Sequence, residues 1–398
     1  MKKIIAVTSG VEGVGKTCIA LNLSVALQKS GASVCVLEAG SGVNTSASLI
    51  GVDPDFTFLD FLKDGVSLDK VFLEGPLGVT IIPGCAGFQK LAGYPGDTQM
   101  KIAKEIKALE KFDYMIVDTP SGLSAENIAL SRAADLVVAV YNKETDAITQ
   151  ALVCIKLLLS HNYSKEAMLA PNMLEPGAGS EKLAQRVEKA SKANISQRIK
   201  SFPILYMDDV VARSVADKKP FMETSPQCPA SVGIEQISAS VLENNNIDPA
   251  CDPAKYIFDV AKYSIDSNLA ANIDKQKSYQ DGEDKFKNRL LKALGLPPVK
   301  KAKTPEKISA KRPAVESQIH LQSEPSPAVS KYIVDIFEKN VQAQEKILTL
   351  LENMSGGHTG RAQEKIGDKA QVSVPEPGRP SGKTFFLDFD EYLLKQND

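Results

Sequence analysis

The chain has 398 residues, 43% of them hydrophobic, and a formal net charge of −2. That balance excludes a uniformly basic or acidic molecule, so any charged partner must be read from local clusters, and the length allows two or three units. No run of about 18 apolar residues could span a bilayer, and no signal-peptide pattern precedes the first apolar run, so a cytoplasmic chain is expected. The six cysteines are scattered without a C-x-x-C pair, and several lie in apolar runs as small hydrophobes.

In chain order, Lys3–Val7 reads as a strand and Lys16–Lys29 as the helix after it, closed by Ser30-Gly31. Val34–Leu37 is a second strand, ending at Glu38-Ala39-Gly40. Phe58–Leu62 and Leu68–Phe72 read as short helical turns, Val79–Ile82 as a buried strand and Met100–Leu109 as a helix. The apolar run from Phe112 ends on the carboxylate of Asp118. Leu136–Tyr141 is a strand, Ile148–Leu159 a helix, Ala167–Met173 and Ile204–Met207 two more strands, and Val232–Leu242 a closing helix. Near-continuous apolar strands separated by helices predict an α/β three-layer sandwich with a mostly parallel sheet.

The organising stretch is Ser9-Gly10-Val11-Glu12-Gly13-Val14-Gly15-Lys16-Thr17. Strand, glycine loop and helix in this order are the setting in which G-x-x-x-x-G-K-[ST] cradles phosphate. Loop amides and the helix N-terminus converge where the helix dipole also favours an anion. Lys16 is placed to reach β- and γ-phosphates, and Thr17 offers a hydroxyl to Mg²⁺. Gly10, Gly13, Val14, Gly15 and Cys18 complete the candidate nucleotide cradle. Asp118, at the end of a buried strand, is the candidate second ligand of a Mg²⁺ that neutralises phosphate charge.

These motifs resemble the MinD/ParA family of P-loop ATPases (SIMIBI type), most closely its flagellar-number branch, FlhG/FleN (YlxH-like). The resembling stretches also include Gly75–Gly84, Asp113–Gly122, Ala134–Val138, Asp146–Thr149 and Val211–Val215, together covering about residues 1–245. The resemblance implies an eight-stranded sandwich that dimerises face to face around two ATP molecules. It places Asn172 at the adenine and Asp208 near the same pocket.

Three departures stand out. Val11 occupies the position of the family's signature lysine, which crosses the dimer to the partner's phosphates. Glu12 replaces a glycine of the same loop and adds a carboxylate near phosphate unless it points to solvent. Glu38-Ala39-Gly40 stands where the family has Asp-x-Asp, leaving Glu38 and Lys16 as the candidate catalytic residues and no second carboxylate to orient water. A cationic finger is worth about 10³–10⁵ in rate, so ATP binding with slow hydrolysis is expected.

Residues 1–250 are therefore read as the nucleotide domain and 251–284 as a connecting segment, after which the chain is a largely disordered extension with short helices. In 285–296, Phe286, Leu290, Ala293 and Leu294 fall on one side of a helix and Lys285, Arg289 and Lys292 opposite. That pattern suits an in-plane helix on an anionic membrane or a helix packed on the domain. A basic Pro/Lys-rich linker follows over 297–326. Over 327–355, Val329, Ile333, Ile336, Asn340, Ala343, Ile347, Leu350 and Met354 have heptad-like spacing, for a coiled coil or a partner-binding helix. A linker over 356–383 leads to the aromatic, acidic segment 384–398, whose Phe385–Leu394 is a candidate protein-binding peptide.

The functional expectation is an ATP- and Mg²⁺-dependent homodimer that positions a flagellum or other polar machinery, peripheral on the inner face of the cell membrane. The alternatives are a non-catalytic nucleotide-binding scaffold and a ParA-like partitioner binding non-specific DNA; nucleic acid is the less favoured partner. A third alternative, an Fe–S carrier of the related Mrp type, needs a C-x-x-C that is absent from this chain.

Overall fold

Strand β1 (Lys3–Ser9) is buried along its whole length, which requires cover on both faces and sets it in the middle of a sheet. It feeds helix α1 (Lys16–Lys29) and then β2 (Val34–Glu38). Short helices α2 (Ser46–Leu49), α3 (Phe58–Asp64) and α4 (Leu68–Val71) lead to β3 (Leu73–Glu74) and β4 (Thr80–Ile82). Next come α5 (Gly96–Ile106), β5 (Tyr114–Ser121), α6 (Ala125–Ala133), β6 (Leu136–Tyr141), α7 (Thr145–Ser160) and β7 (Glu166–Leu174). The chain continues through α8 (Ala178–Asn194), β8 (Lys200–Ser201), β9 (Leu205–Tyr206), α9 (Asp209–Ala216), α10 (Phe221–Thr224), α11 (Pro229–Glu243) and α12 (Pro253–Ser264). This computed structural model describes residues 1–40, 45–85, 88–161, 163–243, 252–264 and 289–295. All of them belong to one unit, Met1–Lys301 with Gly382–Asp398; the second unit, Ala302–Ser381, lies outside the described residues.

The strands run in the order β3-β4-β2-β5-β1-β6-β7-β8, with β9 also paired to β7. Every pairing is parallel except β3 against β4. The expected mostly parallel sandwich is what forms, with nine strands rather than eight among the described residues. Helix α1 is apolar on nearly all sides because it lies between the sheet and helices α10 and α11. Asn22 Oδ1 accepts the Met222 amide at 3.1 Å, tying α10 to α1. The register sets Glu38 of β2 beside Asp118 of β5, and β5 beside β1, so the carboxyl ends of three strands meet at the glycine loop.

Three parts of the sequence reading change. Helix α8, unassigned from sequence, covers β7 and β8 with Ala184, Val187 and Ala190 buried. The segment expected to be a connector, 251–284, contains α12, whose Tyr256, Ile257, Phe258, Val260 and Ala261 are buried against α6 and the 3₁₀ turn Phe88–Gly93. The domain therefore extends beyond residue 250, because a helix with this much apolar surface must cover something.

The third concerns the helix expected over 285–296, where the described residues follow the alternative of a helix packed on the domain. Residues 289–294 are helical, and Leu290 and Leu294 join the domain core at 0% exposure, with Leu291 at 2%. Of the face proposed for a lipid surface, Leu290 and Leu294 are thus covered by protein, Ala293 is exposed and Phe286 lies outside the described residues. Withdrawing each leucine would cost about 1.5–3 kcal/mol. No described helix is long and apolar enough to cross a membrane. The heptad-like stretch 327–355 and the peptide 384–398 lie outside the described residues.

Candidate functional site

The loop between β1 and α1 is shaped by contacts that its glycines alone permit. A β-carbon on Gly10 would lie 2.2 Å from Gln150 Cβ of α7, so α7 packs directly on the loop. Gly15 is the residue before α1, with φ 90° in the left-handed region, and a β-carbon there would sit 2.4 Å from Asn172 Nδ2. No side chain caps α1, and its first turn carries no acid. The first amides of α1 are therefore left for an anion. Ser9 Oγ donates to the Val11 carbonyl at 2.6 Å and folds the loop back on itself.

Lys16 is nearly buried, and its ammonium donates to Ser121 Oγ at 2.6 Å. Burial lowers its pKa, opposed by the charges of Asp118 and then Glu12. Thr17 Oγ1 donates to Asp118 Oδ2 at 2.7 Å. The other carboxylate oxygen, Asp118 Oδ1, is buried without a hydrogen-bond partner among the described residues. Burial pushes the Asp118 carboxyl up to about 6, against the pull of Thr17 and Lys16. A buried carboxylate oxygen with no donor is costly unless something positive is meant to meet it.

This donor set fits Mg²⁺. The ion is hard, takes oxygen ligands and is held by one or two protein groups, with phosphate and water completing its shell. Thr17 and Asp118 supply that number. Among the described residues no group of three His, Cys, Asp or Glu could hold a metal without such help.

Glu38 lies beside Asp118 but is engaged elsewhere. Its Oε1 accepts the amides of Ser46 and Ala47 at the start of α2, the second at 3.4 Å. Burial raises its carboxyl to about 7, the amide of Ser46 opposes this, and the charge of Asp118 adds to it. Its observed contacts are those of a group that fastens α2. Gly40 is open: a β-carbon there would be 3.8 Å from the Thr119 carbonyl and 4.0 Å from Asp118 Oδ2. Val11 is half-buried and Glu12 exposed, yet the Glu12 carboxylate stays close enough for its charge to act on Lys16.

Asn172 is brought to the loop by strain in β7. Met173 adopts φ 56°, uncommon for a residue with a side chain, and the β7–β9 register shifts between Asn172 and Leu174. Asn172 Nδ2 then donates to the Val14 carbonyl at 2.8 Å. Asp208 caps α9, accepting the amides of Val210 at 2.9 Å and Ala230 at 3.2 Å. It thereby ties α9 to α11, and the Cys228 thiol is a further hydrogen-bond partner. Burial pushes the Cys18 thiol up to about 12, and Asn22 holds the Cys18 carbonyl at 2.8 Å.

The model of the CobQ/CobB/MinD/ParA nucleotide binding domain matches residues 5–221. The chain belongs to this family. Among its relatives, antiactivator FleN of Pseudomonas aeruginosa is 30% identical over 244 residues, spanning 60% of this chain and 86% of FleN. Flagellum site-determining protein YlxH of Helicobacter pylori is 31% identical over 261 residues, spanning 64% and 88%. A chain of the MinC:MinD cell division protein complex of Aquifex aeolicus matches with a TM-score of 0.50 at 23% identity, over 60% of this chain and 96% of that one. This last likeness concerns the fold.

Within this MinD/ParA framework, three residues that sequence reading passed over shape the site. Ser121 sits in the Asp113–Gly122 stretch, where its hydroxyl was a readable signal. Gln150 and Met173 carry no such mark, because their roles come from packing on Gly10 and from a strand bulge.

Proposed function

We propose that the chain binds ATP with Mg²⁺, pairs with a second copy when loaded, and uses that switch to help place a flagellum or comparable polar machinery. The observation that carries the reading is the Thr17–Asp118 pair at the uncapped start of α1, with the second Asp118 oxygen unpartnered. Lys16 and the loop amides would hold the phosphates, Thr17 and Asp118 the metal, and Asn172 the neighbourhood of the base. The bound Mg²⁺ would neutralise charge on the β- and γ-oxygens. The likeness to FleN and YlxH supports the flagellar setting.

Hydrolysis is slow on this reading. Val11 brings no cation to a partner's phosphates, Gly40 brings no carboxylate to a water, and Glu38 is held by two amides. The same contacts favour a second reading, a scaffold in which bound nucleotide is structural. Titrating ATP–Mg²⁺ into the wild type and Lys16→Ala, followed by sizing, separates the two. The switch expects ATP to change the oligomeric state of the wild type alone. The scaffold expects binding without that change. A wild type unable to retain ATP–Mg²⁺ at millimolar concentration overturns both.

A further inference from the structure

Helix α8 carries Lys182, Arg186 and Lys189 at spacings of four and three, so the three cations share one exposed face. Among the described residues none of the three has a carboxylate partner; the neighbouring pairs are Lys192 with Glu188 at 2.6 Å and Lys200 with Glu166 at 3.5 Å. Two concavities follow this face. One, of about 430 Å³, is lined by Gly179, Lys182, Gln185, Arg186 and Lys189. The other, of about 510 Å³, is lined by Gln185, Glu188, Lys189, Lys192, Ala193 and Gln197, with the Glu188 carboxylate paired to Lys192. Arg289 and Lys292, in the short helix that ends at Gly295, are exposed as well.

The chain leaves the described domain at the margin of this surface. A β-carbon on Gly295 would be 3.1 Å from an Arg186 guanidinium nitrogen. Of the residues beyond, Phe385–Leu394 combines Asp388, Asp390 and Glu391 with four aromatic rings and contains no cation. We propose that this acidic, aromatic segment docks on the basic face of α8 in its own chain. Its carboxylates would meet Lys182, Arg186 and Lys189, and its rings would fill the two concavities.

Charge complementarity and tethering make the case together. Exposed ion pairs are weak singly, so one pair would not hold a free peptide. Tethering converts the encounter into an intramolecular one at an effective concentration in the millimolar range. At about 3.3–3.6 Å per residue, the roughly 90 residues between Gly295 and Phe385 span any path across the domain. The contact is salt-sensitive by nature. It also hides the segment from other partners until they displace it. The proposal does not depend on nucleotide binding, so either can fail alone.

Zero-length carbodiimide coupling of the full chain, followed by peptide mapping, tests it. Lys182 or Lys189 should couple to Asp388, Asp390 or Glu391 at low salt, at least about fivefold less at high salt. In a mixture of light- and heavy-nitrogen chains, the linked peptides should carry one label. K182E/R186E/K189E and D388K/D390K/E391K should each abolish the links, and the combined variant should restore them with polarity reversed. Circular dichroism melts confirm that these surface variants fold. Links confined to Lys300–Lys311, links between differently labelled chains, or links unchanged by charge reversal would each overturn the proposal.

Discussion

Lys16 Nζ and Ser121 Oγ, 105 positions apart in sequence, lie 2.6 Å from each other across the mouth of the phosphate loop. The ammonium is nearly buried and has three donors, so it can keep Ser121 and still meet two phosphate oxygens. Ser121 therefore holds Lys16 in place before the ligand arrives. Ser121→Ala should weaken ATP and ADP binding about fivefold, the worth of roughly 1 kcal/mol of hydrogen bonding. Ser121→Thr should restore it, as read by titration with a fluorescent nucleotide.

Asp118 must be ionised to hold a metal, and burial raises its carboxyl to about 6. Protonation below that value removes the ligand charge, so Mg²⁺-dependent nucleotide affinity should fall about tenfold between pH 7.5 and pH 5. Calorimetry with and without Mg²⁺ measures the difference. Asp118→Asn should flatten the Mg²⁺-dependent part of the profile.

Glu38 makes the metal-free protein sensitive to pH in the opposite direction. Its carboxyl is raised to about 7 in the fold, against ~4.3 in an unfolded chain. The folded state binds more protons across that window, so its stability falls as pH rises from about 4 through about 7. Glu38→Gln keeps an oxygen for the Ser46 and Ala47 amides and removes the charge. It should add roughly 1–3 kcal/mol at pH 8 and little at pH 4.5, measured by denaturant unfolding in chelator.

Gly40 has room for a β-carbon, with only ordinary contacts to Thr119 and Asp118. The double variant V11K/G40D should raise ATP turnover at least about tenfold over the wild type, a small part of what a cationic finger alone can supply. Phosphate release from the purified protein gives the answer. An unchanged rate would mean that slow hydrolysis has another cause.

Leu294 reports whether helix 289–294 is a structural part of the domain. It is fully buried in the core cluster. Leu294→Ala should lower stability by about 2 kcal/mol, the lower end for a leucine that can be vacated by fraying. A free membrane anchor would show no change in a thermal melt.

Much of the site was readable because its parts are local. A strand, a glycine loop and a helix in sequence place Gly15, Lys16 and Thr17 by backbone geometry alone, and Asp118 announces itself at the end of an apolar run. Helix α8 was also within reach, since Leu183, Val187 and Ala190 recur at helical spacing, but its many lysines and glutamates mask the stripe. Asn172 is different. Its approach to Val14 depends on Met173 at φ 56°, which no residue type there signals.

The sequence by itself determined the parallel α/β sheet and the phosphate-binding loop, because periodicity and glycine spacing act over a few residues. Only the tertiary structure decided which groups answer Lys16, Thr17 and Glu38, because those partners arrive on other strands and helices. The same limit applies to Leu290 and Leu294. An amphipathic stripe looks alike whether it meets lipid or protein, and its cover is a property of the packed fold.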